Sequence, residues 1–165
     1  MSQNIILTNR DIDNKVLRIA YQICETFHGE NEIVIAGISK NGYILAKKIE
    51  QRLSEISTLK IILCEVFIDK TNPLNQIETS LKSSDYQNKN LVLIDDVLNS
   101  GSTLIYGVKH FLNVPLKKFK TAVLVDRNHK KFPVKADFKG ISLSTSTKEH
   151  VEVVFLENES YAHLI

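Results

Sequence analysis

Apolar residues recur every three or four positions in one stretch near the start of the chain, and this spacing predicts a helix. Five apolar residues share one face of that helix: Ile12, Val16, Ile19, Ile23 and Phe27. Thr8 is placed to cap the start of the helix, and Gly29 follows its predicted end. The same spacing predicts two further helices, over residues 42–53 and 102–112.

Apolar runs that are too short for helices separate these segments and predict buried strands. They cover residues 32–37, 59–68, 91–94, 121–125 and 151–156. Because strands alternate with helices, the pattern predicts an α/β fold with a mostly parallel central sheet and helices on both faces. Residues 69–89 are polar and weakly periodic, which predicts a long loop of the kind that often serves as a functional lid.

Composition is typical of one domain with its own core, since the chain has 165 residues and 43% of them are hydrophobic. No apolar stretch approaches the roughly 20 residues of a membrane span, and the first residues do not resemble a secretory signal, so we expect a cytoplasmic protein. Cys24 and Cys64 form no metal-ligand cluster and are expected to be reduced. The net charge of +2 does not by itself indicate nucleic-acid binding.

The segment that carries candidate chemistry follows the strand predicted at 91–94. Asp95 and Asp96 come first, and their carboxylates can accept hydrogen bonds from vicinal hydroxyls or hold Mg²⁺ directly or through water. A turn then leads into a helix, and its backbone N–H groups and hydroxyls suit a phosphate. The turn comprises Asn99, Ser100, Gly101, Ser102 and Thr103. Two acids next to a turn that can bind phosphate indicate a ribose 5-phosphate ligand. A helix with an ordinary N-terminal cap would also explain the turn.

This segment closely resembles the phosphoribosyl pyrophosphate (PRPP) signature of type I phosphoribosyltransferases. The resemblance implies that Asp95 and Asp96 bind the ribose hydroxyls near Mg²⁺, and that the turn at 99–103 holds the 5-phosphate. It also implies a small hood over the central sheet, with residues 1–165 forming one domain. The loop after the strand at 32–37 is similar to the family's pyrophosphate loop, with Ser39, Lys40, Asn41 and Gly42 as its members. Many relatives carry arginine where this chain has Asn41.

The last third of the chain, over residues 123–140, resembles bacterial pyrimidine operon attenuators that double as uracil phosphoribosyltransferases. By that resemblance Phe138 stacks on the base, and Asp126, Arg127 and Lys139 belong to the base-binding wall. Asp69 and Lys70 would belong to the flexible loop. The resemblance also implies a homo-oligomer, a dimer or larger. Ser102 and Lys139 depart from the family, which usually has arginine and an apolar residue there.

Asn99 bears on the acceptor base. Purine-using relatives usually carry aspartate at this point of the loop, placed to take the proton from the purine ring. Asparagine cannot act as a general base, which favours a pyrimidine such as uracil. Catalysis with PRPP and uracil is therefore the first hypothesis.

A second hypothesis is an RNA-binding regulator that senses uridine nucleotides in the same site, with basic candidates including Arg18 and Lys130. A phosphate-binding hydrolase on a similar sheet ranks last, because no nucleophile or base follows a strand.

Overall fold

Strands and helices alternate through most of the structure, a computed structural model that describes residues 4–165. The first three residues of the predicted domain lie outside this range. The helices are α1 (Asn9–Thr26), α2 (Asn41–Ile56), α3 (Ser83–Tyr86) and α4 (Ser102–Phe111). The strands are β1 (Asn4–Leu7), β2 (Glu32–Ile38), β3 (Lys60–Phe67), β4 (Glu78–Thr79), β5 (Asn90–Leu98), β6 (Lys118–Asp126), β7 (Phe138–Ser142), β8 (Val151–Phe155) and β9 (Ser160–Leu164).

The central sheet has six strands in the order β4-β3-β2-β5-β6-β7. Every neighbouring pair is parallel except β3 with β4, which is antiparallel. A separate antiparallel sheet of three strands, in the order β1-β9-β8, forms a hood. The α/β fold with a mostly parallel sheet and a small hood, predicted from the sequence, is therefore confirmed. No helix among the described residues is long and apolar enough to cross a membrane.

Two apolar clusters cover the two faces of the sheet. Alternate residues of each strand point to opposite faces, so Val92 of β5 packs with α1 and α2 while its neighbour Leu93 packs with α4. The hood lies on the α1 side, where Val153 and Ala162 join the first cluster. This arrangement places the carboxyl end of β5 and the start of α2 beside the hood.

The start of α1 confirms the predicted cap. Thr8 accepts a hydrogen bond from the backbone N–H of Asp11, and the Asp11 carboxylate accepts one from the N–H of Thr8. This reciprocal pair satisfies backbone donors that the first turn of a helix leaves free. All five residues of the predicted apolar face are buried.

The segment at 69–89 differs from the long loop predicted for it. It contains β4, which pairs with β3, and α3, whose Tyr86 is buried with its ring centroid 5.0 Å from that of Phe111. The short strands β1, β7 and β9 were also not predicted, because they mix polar and apolar residues too irregularly to show a period. β5 extends four residues beyond the predicted strand, through Asp95 and Asp96 to Leu98.

Candidate active site

Asp95 and Asp96 lie inside β5 rather than in the loop after it, so parallel pairing with β6 fixes their backbone. Their side chains are only 4% and 12% exposed, yet both line the same cavity of about 360 Å³. Asp95 Oδ1 accepts a hydrogen bond from the N–H of Asp96, and Asp96 Oδ1 accepts one from the N–H of Val97, both at 2.9 Å. A rigid pair of acids therefore faces a space of the size that small ligands occupy in proteins.

Lys70 is the cationic partner of this pair. Its Nζ lies 3.2 Å from Asp95 Oδ1 and 3.8 Å from Asp96 Oδ1. Burial, together with the negative charge of Asp96, raises the pKa of Asp95 to about 7, although Lys70 opposes the shift. Burial lowers the pKa of Lys70, but the two carboxylates outweigh it and raise that pKa above its ordinary value. The site therefore carries charge that is costly to hold without a ligand.

The raised pKa of Asp95 predicts a pH-dependent stability. Its pKa of about 7 in the folded protein exceeds the ordinary value of 3.8, so folding favours the protonated form. That contribution is full below pH ~4 and is lost as the pH rises to about 7. Asp95→Asn, which imitates the neutral form, should therefore be more stable than wild type by on the order of 2–4 kcal/mol above pH 7.

Urea unfolding of both proteins at about pH 4, 6 and 8, in chelator, measures the difference in the free energy of unfolding. We expect the difference to grow with pH up to about 7 and then to level off. A difference that does not vary with pH would contradict the shift assigned to Asp95.

The turn between β5 and α4 forms another part of the cavity wall. Asn99 to Thr103 all line the cavity, and the Ser100 hydroxyl accepts a hydrogen bond from the N–H of Ser102 at 3.2 Å. The N–H groups in the first turn of a helix have no partner within the helix, so the start of α4 can bind an anion. The structure thus brings the two acids and the predicted phosphate turn to one cavity.

Gly101 holds this turn in shape. It has a φ of 88°, in the left-handed region that favours glycine. A Cβ at this position would lie 2.7 Å from Val134 Cγ1. The carbonyl of Ser100 also accepts hydrogen bonds from the N–H groups of Lys131 and Phe132. The loop after β6 therefore packs directly beneath the turn, a contact that the sequence did not reveal.

Asn41 joins three parts of the site. Its side-chain nitrogen Nδ2 donates to Asp96 Oδ2 at 3.0 Å and to the carbonyl of Val153 in β8 at 2.9 Å. Val151, Glu152 and Val153 consequently form the hood wall of the cavity. The sequence predicted a strand at these residues but gave no sign that it closes the site.

The other members of the predicted pyrophosphate loop do not reach this cavity. Ser39 and Lys40 line a neighbouring hollow of about 380 Å³, together with Asp69. Gly42 is buried where α2 meets β5, and a Cβ there would lie 2.8 Å from the carbonyl oxygen of Ile94 and 3.0 Å from the Cα of Asp95. Gly42 therefore serves close packing in the structure, and Asn41 alone of the four lines the main cavity.

Arg127 is 5% exposed and holds the phosphate turn from behind. Its Nη1 donates to Asn99 Oδ1 at 2.9 Å, while Nε and Nη2 donate to the hydroxyl of Thr145. Nη2 also donates to the carbonyl of Glu149. Arg127 thus links the turn to the loop before β8, and through it to the hood. The orientation of Asn99 follows from this contact, because arginine is only a donor and must face the amide oxygen.

Two predicted base-binding residues form an ion pair. The buried Asp126 carboxylate has its Oδ2 3.7 Å from Lys139 Nζ and 3.8 Å from Lys130 Nζ, and its Oδ1 accepts from the N–H of Asn128. Neither Asp126 nor Lys139 lines the main cavity. Asp126 is the last residue of β6, next to Arg127, whereas Lys139 is the second residue of β7.

Phe138 does not offer its ring to a ligand. It is 7% exposed and packs in the core cluster under α1, with the side chain directed away from Lys139. This contradicts the stacking role predicted for it, because a ring face covered by the core cannot receive a base. The alternation of side chains in β7 turns residue 138 inward.

Magnesium fits the donors that are present. Within residues 4–165, no three histidine, cysteine or acidic side chains gather as a metal-ligand group. Mg²⁺, however, usually keeps several waters and is held by one or two carboxylates together with substrate phosphates. Asp95 and Asp96 supply that number of carboxylates beside a phosphate-type turn.

Comparisons with known proteins agree with this geometry. A model of the phosphoribosyl transferase domain matches residues 2–158. The bifunctional protein PyrR of Streptococcus agalactiae is 30% identical over 98% of this chain and 95% of its own length. PyrR of Leuconostoc citreum is 32% identical over 95% and 94%. A hypoxanthine-guanine phosphoribosyltransferase from Bacillus anthracis superposes with a TM-score of 0.79 at 19% identity, covering 99% of this chain and 97% of that one.

Proposed function

This chain belongs to the phosphoribosyl transferase domain family, and we propose that it transfers the 5-phosphoribosyl group of PRPP to a pyrimidine base, uracil first, with release of pyrophosphate. One observation carries the proposal: the buried pair Asp95 and Asp96 and the turn at the start of α4 line a single cavity. Such a cavity offers acceptors for vicinal hydroxyls and donors for a phosphate at the same time.

The chain's own residues would divide the work as follows. Asp95 and Asp96 accept hydrogen bonds from the ribose hydroxyls and place negative charge near the cation that develops at C1 of the sugar. The N–H groups and hydroxyls of residues 99–103 hold the 5-phosphate. Mg²⁺, held by Asp95 and Asp96 directly or through water, would neutralise the departing pyrophosphate. The hood wall at Val151–Val153 excludes water from the sugar.

The preference for a pyrimidine is supported by Asn99 and Arg127. Because Arg127 Nη1 holds the amide oxygen at 2.9 Å, Asn99 is left with its NH₂ group for the cavity. The residue can therefore donate a hydrogen bond to a base carbonyl but cannot accept a ring proton. Asp126, Arg127 and Lys139 would support this wall from behind.

An RNA-binding regulator that senses uridine nucleotides is the second candidate, favoured by the likeness to relatives named bifunctional. Two of its basic candidates are engaged within the protein. Arg18 donates to the carbonyls of Lys139 and Gly140, and Lys130 lies 3.8 Å from Asp126. Binding to RNA would have to use other cations, and it would weaken steeply with salt.

Pyrophosphate release from PRPP and Mg²⁺ tests the proposal, with uracil, orotate, hypoxanthine, guanine, adenine and xanthine offered separately. We expect turnover with uracil and none with hypoxanthine or guanine. Binding of PRPP without turnover of any base, together with salt-dependent RNA binding, would favour the regulator instead. Absence of PRPP binding would refute the transferase.

A further inference from the structure

The loop after β3 is a preformed turn that presents Lys70 to the acid pair. Asp69 Oδ1 accepts hydrogen bonds from the N–H and hydroxyl of Thr71, at 2.9 and 2.6 Å, and from the N–H of Asn72 at 3.2 Å. Asp69 Oδ2 accepts from Asn75 Nδ2 at 2.9 Å. These bonds close the turn on itself and do not involve the side chain of Lys70. The ammonium group is thus free to reach across to Asp95.

Lys70 occupies the cavity side of both carboxylates. Lys70 Nζ lies 3.2 Å from Asp95 Oδ1 and 3.8 Å from Asp96 Oδ1, so one ammonium group contacts both acids, while Asn41 donates to Asp96 Oδ2. A divalent cation held by these two carboxylates would be repelled by an ammonium group that lies 3.2 Å from Asp95 Oδ1. Occupation by one therefore opposes occupation by the other.

The lysine can also leave the acid pair. Its side chain is 45% exposed, so the ammonium can return to water without crossing the core. Its partner Asp95 is only 4% exposed, so this carboxylate then needs another positive charge beside it. A divalent cation would supply that charge.

We propose that Lys70 is a tethered counter-ion that competes with a divalent metal for Asp95 and Asp96, so that the pair takes up metal only as the lysine leaves. Phosphate groups that arrive with the metal would give the released ammonium new partners. The inference rests on the proposed function in that the two acids are taken as its metal site.

A titration of the ligand-free protein with Mn²⁺ tests the competition. The fall of the free Mn²⁺ signal in electron paramagnetic resonance measures how much metal is bound. Lys70→Met removes the charge at nearly constant length and should raise Mn²⁺ affinity about tenfold over wild type. Lys70→Arg keeps the charge and should bind as weakly as wild type. Adding Asp95→Asn to Lys70→Met should abolish the gain, which would locate it at the acid pair.

Lys117→Met is the matched control. Lys117 is also a partly exposed lysine paired with one carboxylate, that of Glu30 at 2.6 Å, but it lies at the opposite end of the sheet. It should leave Mn²⁺ affinity unchanged. Equal affinity of wild type and Lys70→Met, or an equal gain in Lys117→Met, would overturn the inference. Calorimetry with PRPP separates this outcome from a failure of the proposed function, since wild type would still bind PRPP in that case.

Discussion

Replacing both acids, Asp95→Asn with Asp96→Asn, should lower the affinity for PRPP and Mg²⁺ by at least about 100-fold, because each carboxylate lost removes charged hydrogen bonds worth about 1.5–3 kcal/mol. The fold should survive. The amide is nearly the same shape as the carboxylate, and the change removes two like charges from a buried site. The amide introduced at position 96 can also turn its oxygen toward Asn41, which donates to Asp96 in the wild type. Calorimetric titration of the folded double variant measures the loss.

Asp13→Asn provides the control for the charge change, since Asp13 is exposed on α1, far from the cavity. It should bind PRPP like wild type. Circular dichroism and urea unfolding establish that the double variant is folded. Unchanged PRPP affinity in a folded double variant would show that the cavity between β5 and α4 is not the PRPP site.

Asn99→Asp should lower kcat/KM for uracil by about 10–100-fold while leaving the affinity for PRPP within a fewfold of wild type. The change replaces the amide NH₂ group, which Arg127 does not hold, with an acceptor, and it keeps the oxygen that Arg127 holds. A carboxylate beside the guanidinium of Arg127 would have a lowered pKa and would be a weak base. Hypoxanthine and guanine should therefore gain only traces of activity, well short of the roughly 10²–10⁴-fold that a well-placed base contributes.

Steady-state kinetics with uracil and with hypoxanthine, at saturating PRPP, measure the effect. Asn31→Asp is the matched control, because Asn31 is exposed just before β2, at the other end of the sheet. If wild type turned over hypoxanthine faster than uracil, the argument from Asn99 would be wrong. The specificity would then have to be sought in Asp126, Lys139 and the backbone of β7.

The acid pair illustrates a conflict between stability and function. The buried carboxyl of Asp95 has a pKa of about 7 and lies beside a second acid, which makes the ligand-free protein less stable. We expect Asp95→Asn to remove this cost and to be the more stable protein. Lys70 and Asn41 offset part of this cost by contacting Asp95 and Asp96. Strain of this kind is expected at a site built to bind a cation and a ribose rather than to stabilise the empty fold.

The main elements and the chemistry of one loop could be predicted from the sequence. Periodicity identified α1, α2 and α4, because each buries one face against a continuous sheet and so needs regularly spaced apolar residues. Apolar runs identified the central strands, because strands covered on both faces carry few polar residues. Asp95, Asp96 and residues 99–103 could be recognised together because strand, turn and helix are consecutive in the chain.

Which distant residues meet these acids depends on the packing of the folded chain. Lys70 is 25 residues before Asp95, and Val153 is 112 residues after Asn41, so no local pattern could place either of them at the site. The same holds for Arg127, which reaches Asn99 because β5 and β6 are parallel neighbours whose ends meet at one edge. Phe138 was misjudged for a related reason: whether a strand residue faces a ligand or the core depends on register, and pairing with β6 turned this ring inward.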